Sequence, residues 1–283
     1  SASILFAIAK SYSSMNKYDI ALEYVVASLN KVPKFIPAME LLTDLYFAQK
    51  RVDDAITVYL EIVTLEPSRS RNMNLARLYE FKDANEAVRI YEELLEQKED
   101  SEILGRLTKL YASMNDSTKL LTTFEKLIKS STNVLDYDGL MRTYLDNKMY
   151  PKALTLLDTV RLKFSQEDIN YFFSMVGNTL LDDTSVTTKN SIPEYLSKIN
   201  NDFYFDWRIN MISGYLSDRI KDSAGVNKYF DRALANDTLP DIILAISIYY
   251  SQGNNPLKAL EVLNKNESKF PGNFNFPLYK GTV

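Results

Sequence analysis

Residues 41–67, LLTDLYFAQKRVDDAITVYLEIVTLEP, contain two amphipathic segments separated by a short polar turn. Tyr46 is followed nine residues later by Ala55, then four residues later by Tyr59, and eight residues after that by Pro67. Apolar residues recur at spacings of three and four in both segments, which predicts two helices with one apolar face each. A small residue such as Ala55 lets two antiparallel helices approach closely, and Pro67 ends the second helix because it has no amide hydrogen to donate. The stretch therefore predicts a helix-turn-helix hairpin.

The same pattern recurs along the chain at intervals of 32 to 34 residues. The tyrosines that mark it are Tyr12, Tyr46, Tyr79, Tyr111 and Tyr144. The matching positions of the second helices hold Ala21, Ala55, Ala87, Leu120 and Ala153, and a further copy has Tyr250, Ala259 and Pro271. One hairpin cannot bury its own apolar face, whereas stacked hairpins share a continuous core. The repeat therefore predicts an all-α solenoid.

This pattern resembles the tetratricopeptide repeat (TPR), in which Leu-Gly, Tyr, Ala, an aromatic residue, Ala and Pro are distributed over about 34 residues. The resemblance covers about 1–165 and 226–271. The small residue of the family before the marker tyrosine is Ala9 in the first repeat, but Thr43 and Met141 stand there in later ones. The resemblance implies a right-handed superhelical solenoid of about eight antiparallel helix-turn-helix repeats.

The regularity of the repeat divides the chain into three segments. Residues 1–165 hold five regular TPR-like repeats, 166–225 hold degenerate helical repeats, and 226–283 hold a further repeat and the start of another. A short linker between two sub-arrays is the alternative for the middle segment. Because FNFPLYKGTV at 274–283 begins another unit, we expect the array to continue beyond Val283.

Within the middle segment, the pattern predicts an aromatic-rich helix followed by a polar loop, DDTSVTTKNS, at 182–191. A short helix is predicted from about Ile192, and another from about Phe205 to Ile220.

The composition excludes several classes of chemistry. The 283 residues include no histidine and no cysteine. This excludes imidazole general bases, thiol nucleophiles, and imidazole or thiolate metal ligands. No glycine-rich nucleotide motif is present, and adjacent carboxylates such as Asp53 and Asp54 point apart on a helix, which is typical of a solvated face. We therefore predict a chain that is not an enzyme and that has no cofactor and no metal.

Charge and hydropathy bear on the partners. The formal net charge is −4, which provides no basic footprint for nucleic acid, and no apolar run is long enough for membrane insertion. The abundance of Asn, Lys and Tyr suggests a bacterial source. Two locations are then compatible with the sequence, the cytoplasm and the periplasm or cell envelope. The sequence does not address the oligomeric state.

In a TPR array the first helices line a concave groove, so the resemblance implies that residues two places before each marker tyrosine point into it. These residues are Lys10, Asp44, Arg77, Lys109 and Arg142. Four of the five are basic, which predicts a ladder for acidic side chains or a terminal carboxylate of a peptide. Phe6 and Met73, four places earlier, would add apolar contacts. The alternative is ordinary ion pairing along the helices, since Asp138 lies one turn before Arg142.

Some TPR proteins bind the acidic tail of heat-shock chaperones through a clamp that requires Asn on the first helices. Phe6, Lys10 and Leu41 stand at matching positions here, so we do not expect that role.

Two aromatic runs fall in the middle segment: Tyr171, Phe172 and Phe173, and then Phe203, Tyr204, Phe205 and Trp207. Consecutive aromatic side chains cannot all face one core, so at least one in each run should be exposed. Packing between irregular repeats and an exposed anchor for a partner are the two interpretations.

Together these features predict a protein–protein interaction scaffold that binds a peptide or helical segment of a partner, with an acidic partner favoured by the basic ladder. The alternatives are a docking or regulatory segment of a larger enzyme, or an architectural spacer in a bacterial envelope assembly.

Overall fold

The computed structural model describes residues 1–199, 203, 206–235, 239–253, 255–273 and 275–283. Packing divides the chain into two compact units, Ser1–Ser131 and Thr132–Val283. The first unit contains α1 (Ala2–Ser14), α2 (Tyr18–Lys31), α3 (Ile36–Ala48), α4 (Val52–Leu65), α5 (Arg69–Tyr79), α6 (Ala84–Gln97), α7 (Ser101–Ser113) and α8 (Ser117–Leu127). The second contains α9 (Val134–Asp146), α10 (Tyr150–Lys163), α11 (Gln166–Asp182), α12 (Val186–Ser197), α13 (Trp207–Arg219), α14 (Ser223–Leu234), α15 (Pro240–Gln252), α16 (Pro256–Glu267) and α17 (Asn275–Lys280).

In the first unit, consecutive helices pack as four hairpins, α1 with α2, α3 with α4, α5 with α6, and α7 with α8. In the second unit, α9 packs with α10, α13 with α14, and α15 with α16. The all-α fold of helix-turn-helix repeats predicted from the sequence is confirmed. The boundary at 131/132 reflects packing and does not coincide with 165 or 225, where the regularity of the sequence changes, and the division by sequence stays a prediction.

The turns inside the hairpins share one backbone motif. The residue four places after the first-helix marker position has a positive φ: Asn16 (57°), Lys50 (61°), Asn115 (57°), Lys148 (56°) and Lys221 (61°). In each of these turns the next amide donates back to the marker residue, as Arg51 N does to Tyr46 O at 2.8 Å. This is a Schellman closure, which satisfies carbonyls at the helix end that would otherwise lack donors. The hairpin at Tyr79 is one residue shorter and closes without a positive φ.

The predicted small residues of α2, α4, α6 and α10 lie inside the core. Ala21, Ala55, Ala87 and Ala153 are fully buried. Pro67 follows the end of α4 by two residues, as expected. Pro271 does not end α16, because that helix stops at Glu267, where Lys269 N donates to Asn266 O and Phe270 N to Glu267 O to form a turn.

The predicted loop at 182–191 is wrong over most of its length. Helix α12 begins at Val186 and not near Ile192, because Ser185 Oγ caps the amide of Thr188 and starts the helix early. The polar residues of the motif therefore form its first turns, and Thr188 is fully buried among them.

Helix α13 begins at Trp207, where the Asp206 side chain accepts from Ile209 N, and it ends at Arg219, close to the predicted end. The predicted start at Phe205 lies outside the described residues.

Glycine allows the close approaches in this irregular region. A Cβ on Gly177 of α11 would lie 2.5 Å from the Ile212 Cγ2 of α13 and 2.6 Å from Tyr195 Oη. A Cβ on Gly214 of α13 would lie 2.3 Å from the Phe230 ring of α14. Since any side chain would collide at these points, the two glycines take over the role that alanine has in the regular repeats.

Candidate functional site

Three of the predicted groove residues meet at a cleft between the first helices α1 and α3. Phe6 and Lys10 lie on the α1 side and Asp44 lies on the α3 side of this cleft, which has a volume of about 310 Å³. Pro37, Glu40 and Leu41 complete its lining. The Phe6 ring is half-buried and packs edge-to-face on Phe35, with centroids 5.5 Å apart. The cleft therefore has a fixed apolar floor and charged walls.

The charged residues predicted from the repeat, one on each wall of the cleft, are not paired with each other. Lys10 and Asp44 are exposed, and neither makes an ion pair or hydrogen bond within the part of the chain that the structure describes. Partial desolvation raises the pKa of the Asp44 carboxyl above its usual value, and the neighbouring Glu40 carboxylate acts in the same direction. The cleft thus holds an acidic group that takes up a proton more readily than an ordinary aspartate does.

Arg77, at the equivalent place on α5, is engaged by its neighbours. Its Nη2 lies 2.6 Å from Glu102 Oε1 on α7, and its Nη1 donates to Asn74 Oδ1 at 3.0 Å. The hydrogen bond from Arg77 holds the pKa of Glu102 below its usual value. Glu102 also contacts Arg106 at 3.2 Å, so Arg77 belongs to a network that joins α5 to α7.

The network continues into the core of the first unit. Arg106 Nη1 lies 3.0 Å from Glu80 Oε1, and the fully buried Tyr91 donates its hydroxyl to the same carboxylate. Burial raises the pKa of the Tyr91 hydroxyl. This arrangement satisfies a tyrosine that would otherwise leave a buried donor unpaired, so its first role is structural.

Met73 and Lys109 differ in their surroundings. Met73 is half-buried and packs against the core formed by α3 to α7, so much of its side chain is in contact with the protein interior. Lys109 on α7 is exposed and makes no ion pair or hydrogen bond among the described residues. Lys109 therefore remains available to a partner in a way that Arg77 does not.

Arg142, in the second unit, is paired as the alternative interpretation of the sequence expected. Its Nε lies 2.9 Å from Asp138 Oδ2, and its Nη2 donates to Tyr171 Oη at 2.6 Å. Tyr171 in turn donates to Asp138 Oδ1 at 2.8 Å. The hydrogen bond to Asp138 raises the pKa of the Arg142 guanidinium. The basic residues at the repeat position are thus two exposed lysines and two arginines held in ion pairs, and the ladder stays a prediction.

The first aromatic run behaves as predicted. Phe172 and Phe173 are fully buried, whereas Tyr171 is 46% exposed. In the second run Phe203 is fully buried and Trp207 is half-buried, and the predictions for Tyr204 and Phe205 lie outside the described residues.

A second cleft, of about 530 Å³, lies beside Tyr171 in the second unit. Its lining includes Asn170, Asp206 and Arg208, and Asn170 Nδ2 donates to Asp206 Oδ2 at 2.8 Å. Sequence reasoning missed these polar residues because the repeat register is lost in this region. The only available signal was their position next to the aromatic runs.

The adjacent carboxylates point apart, as expected. Asp54 lies 2.7 Å from Arg51, whereas Asp53 contacts Lys82 in the turn between α5 and α6. Among the described residues, no group of three or more acidic side chains is arranged to hold a metal ion. No helix in the described part of the chain is long and apolar enough to cross a membrane.

Comparisons with known proteins support the fold. No protein-family model matches the chain, and no curated protein matches its sequence at a significant level. A structure of Naa15/Naa10 bound to HypK-THB contains a chain that matches with a TM-score of 0.59 and 16% identity, over 97% of this chain. The present chain spans 43% of the length of that matched chain. The C-terminal part of a TPR repeat-containing protein from Cytophaga hutchinsonii matches with a TM-score of 0.50 and 16% identity, over 84% of this chain and 98% of that one. At such identities the likeness shows the fold, which is an all-α array of TPR-like helical hairpins.

Proposed function

We propose that this chain is a protein-interaction scaffold that binds an extended peptide or a helical segment of a partner on the first-helix surface of its repeats. The observation that carries the proposal is that Lys10, Asp44 and Lys109 project from first helices without a partner among the described residues. Charges that a fold does not use internally are available for recognition and for the orientation of a ligand.

The architecture supports the same proposal. A helical repeat array offers a long surface at little cost in stability, because each hairpin contacts mainly its neighbours. The cleft between α1 and α3 adds an apolar floor to this surface, with Phe6 fixed by Phe35. Apolar contact with a few placed charges is the usual composition of a peptide-binding groove. The fold match to a chain from a structure of Naa15/Naa10 bound to HypK-THB fits a role in a multi-protein assembly.

Charge reversal on the first helices tests the proposal. Peptides that bind the immobilised wild-type chain would be selected from a displayed library of random 12-residue peptides, and their affinities measured by fluorescence anisotropy. The test variant is Lys10→Glu with Lys109→Glu. The control is Lys31→Glu with Lys126→Glu, which makes the same charge change on the second helices α2 and α8.

We expect peptides that carry acidic residues to lose affinity about tenfold in the test variant and to bind the control like wild type, because like charges then face each other. Equal binding of these acidic peptides to both variants would show that they do not contact Lys10 or Lys109, and the proposal would lose the observation that carries it. Far-UV circular dichroism should be the same for all three proteins, since all four lysines are exposed.

A further inference from the structure

The α3 wall of the first cleft carries more negative charge than the protein neutralises. Glu40 and Asp44 are one helical turn apart and therefore lie on the same face of α3. The cation nearest to Glu40 is Arg71, at 3.7 Å, and Arg71 is held more closely by Glu66, at 2.7 Å. Arg71 also donates to the Glu66 carbonyl at 2.9 Å. Among the described residues, the one cation within ion-pairing distance of these two carboxylates is thus Arg71, which Glu66 also binds.

The opposite wall does not correct this imbalance. Lys10 lines the same cleft from α1, yet no ion pair joins Lys10 to Glu40 or Asp44 in the described structure. Partial desolvation raises the pKa of Asp44, and the charge of the neighbouring Glu40 carboxylate raises it further. A cation placed against α3 would relieve that repulsion, whereas an anion there would meet two carboxylates at once.

The apolar part of the cleft lies directly beside the carboxylates. Leu41 follows Glu40 in the chain, and Phe6 and Pro37 line the same space of about 310 Å³. A volume of this size accepts a small ligand or side chains of a peptide but not a folded domain.

We infer that the cleft between α1 and α3 binds a partner segment in which an apolar side chain stands next to a lysine or arginine. The apolar side chain packs on Phe6 and Leu41, and the cation lies against Glu40 and Asp44. This inference rests on the proposed function, and it makes the partner basic at this cleft, in contrast to the acidic partner that the basic residues of the repeat position predicted.

The test uses the whole chain and the same displayed library of random 12-residue peptides. The reversed variant is Glu40→Lys with Asp44→Lys, and the neutral variant is Glu40→Gln with Asp44→Asn. The control is Glu23→Lys with Glu61→Lys, which reverses two exposed carboxylates on the second helices α2 and α4, away from the cleft. Selected peptides are synthesised and titrated against each protein by fluorescence anisotropy.

Peptides with an apolar residue next to Lys or Arg should be enriched by the wild-type chain. Their affinity should fall about tenfold in the reversed variant and less in the neutral one, and it should not change in the control. Replacing the basic residue of a selected peptide with Gln should remove most of the difference between wild type and the reversed variant.

Enriched peptides without basic residues, or equal affinity for wild type and the reversed variant, would overturn the inference while leaving the scaffold proposal intact. Failure of the wild-type chain to enrich any peptide would overturn both. If the reversed variant loses its helical signal, the affinities of wild type and the neutral variant are compared instead.

Discussion

Replacing Gly214 with alanine should destabilise the second unit, although alanine is the better helix former. A Cβ at this position of α13 would lie 2.3 Å from Cε1 and 2.5 Å from Cδ1 of Phe230. Carbon atoms in contact are normally about 3.5–4.0 Å apart, so the ring would have to move by roughly 1 Å. Phe230 is fully buried, and Tyr215 and Tyr249 pack edge-on against it with centroids 5.3 Å and 5.0 Å away. The ring therefore has no free space to move into.

Two opposing terms set the size of the effect. Overfilling a packed core costs about 1–3 kcal/mol, and Gly→Ala inside a helix gains about 1 kcal/mol. We expect the free energy of unfolding to fall by up to about 2 kcal/mol. Gly105→Ala on α7 is the matched control, because no atom lies within 4 Å of a Cβ there. Gly105→Ala should stabilise the chain by about 0.5–1 kcal/mol.

The assay is urea unfolding followed by two signals. Trp207, the single tryptophan of the sequence, lies on the same helix as Gly214, so its fluorescence reports the unfolding of that unit. Far-UV circular dichroism reports both units, including the one that contains Gly105. A second test replaces Phe230 with leucine, whose smaller side chain should reduce the cost of Gly214→Ala.

One result would refute the reasoning. If Gly214→Ala stabilised the chain as much as Gly105→Ala, helix propensity alone would decide the outcome, and the close approach of α13 to the Phe230 ring would not exist in solution.

Three further predictions concern the turns, the hairpin contacts and the pH dependence. Lys50→Gly should raise the free energy of unfolding by about 0.5–1 kcal/mol in urea titrations, because φ is 61° there, whereas Lys50→Ala keeps the Cβ and should show no gain. Ala55→Arg should lower the free energy of unfolding by about 2–4 kcal/mol, since Ala55 is fully buried. Thr57→Arg, on the exposed face of the same helix, should change it by no more than about 0.5 kcal/mol. Equal effects of the two substitutions would contradict the packing. Hydrogen bonds, first of all from Tyr150, hold the pKa of Asp183 below its usual value of about 3.9. The Asp183 carboxylate therefore contributes fully to the free energy of unfolding above that pH. This contribution is lost as the pH falls through the lower folded-state pKa. Asp183→Asn should therefore flatten the acid side of a stability–pH curve measured by thermal unfolding, and an unchanged curve would contradict the assignment.

Where the repeat is regular, the sequence predicted the fold correctly. The spacing from Tyr46 to Ala55 to Pro67 fixed a hairpin, and helices α3 and α4 lie where that spacing placed them. Such predictions succeed because helix periodicity, turns and proline act over a few residues. The prediction failed at 182–191, where polar residues suggested a loop and Ser185 instead caps a helix, since capping depends on side-chain geometry that composition does not show.

For the candidate site, the sequence identified the positions of the charged residues but not which of them are bound to other residues of the protein. The repeat register placed Lys10 and Asp44 at one cleft, and the structure brings them together there. It did not show that Arg77 is bound to Glu102, 25 residues away, or that Arg142 is bound to Tyr171, 29 residues away. The sequence also did not show that Glu40 lines the same cleft as Lys10 and Asp44.

The sequence by itself determined the repeating unit of this protein and the absence of histidine and cysteine chemistry, because both follow from residue type and local spacing. Only the tertiary structure decided which charged side chains form ion pairs within the protein, since their partners lie on neighbouring hairpins and the distances depend on how the hairpins stack. The same is true of Gly177 and Gly214, which the sequence presents as weak helix formers. Packing shows them to be the points where two elements come too close for a side chain.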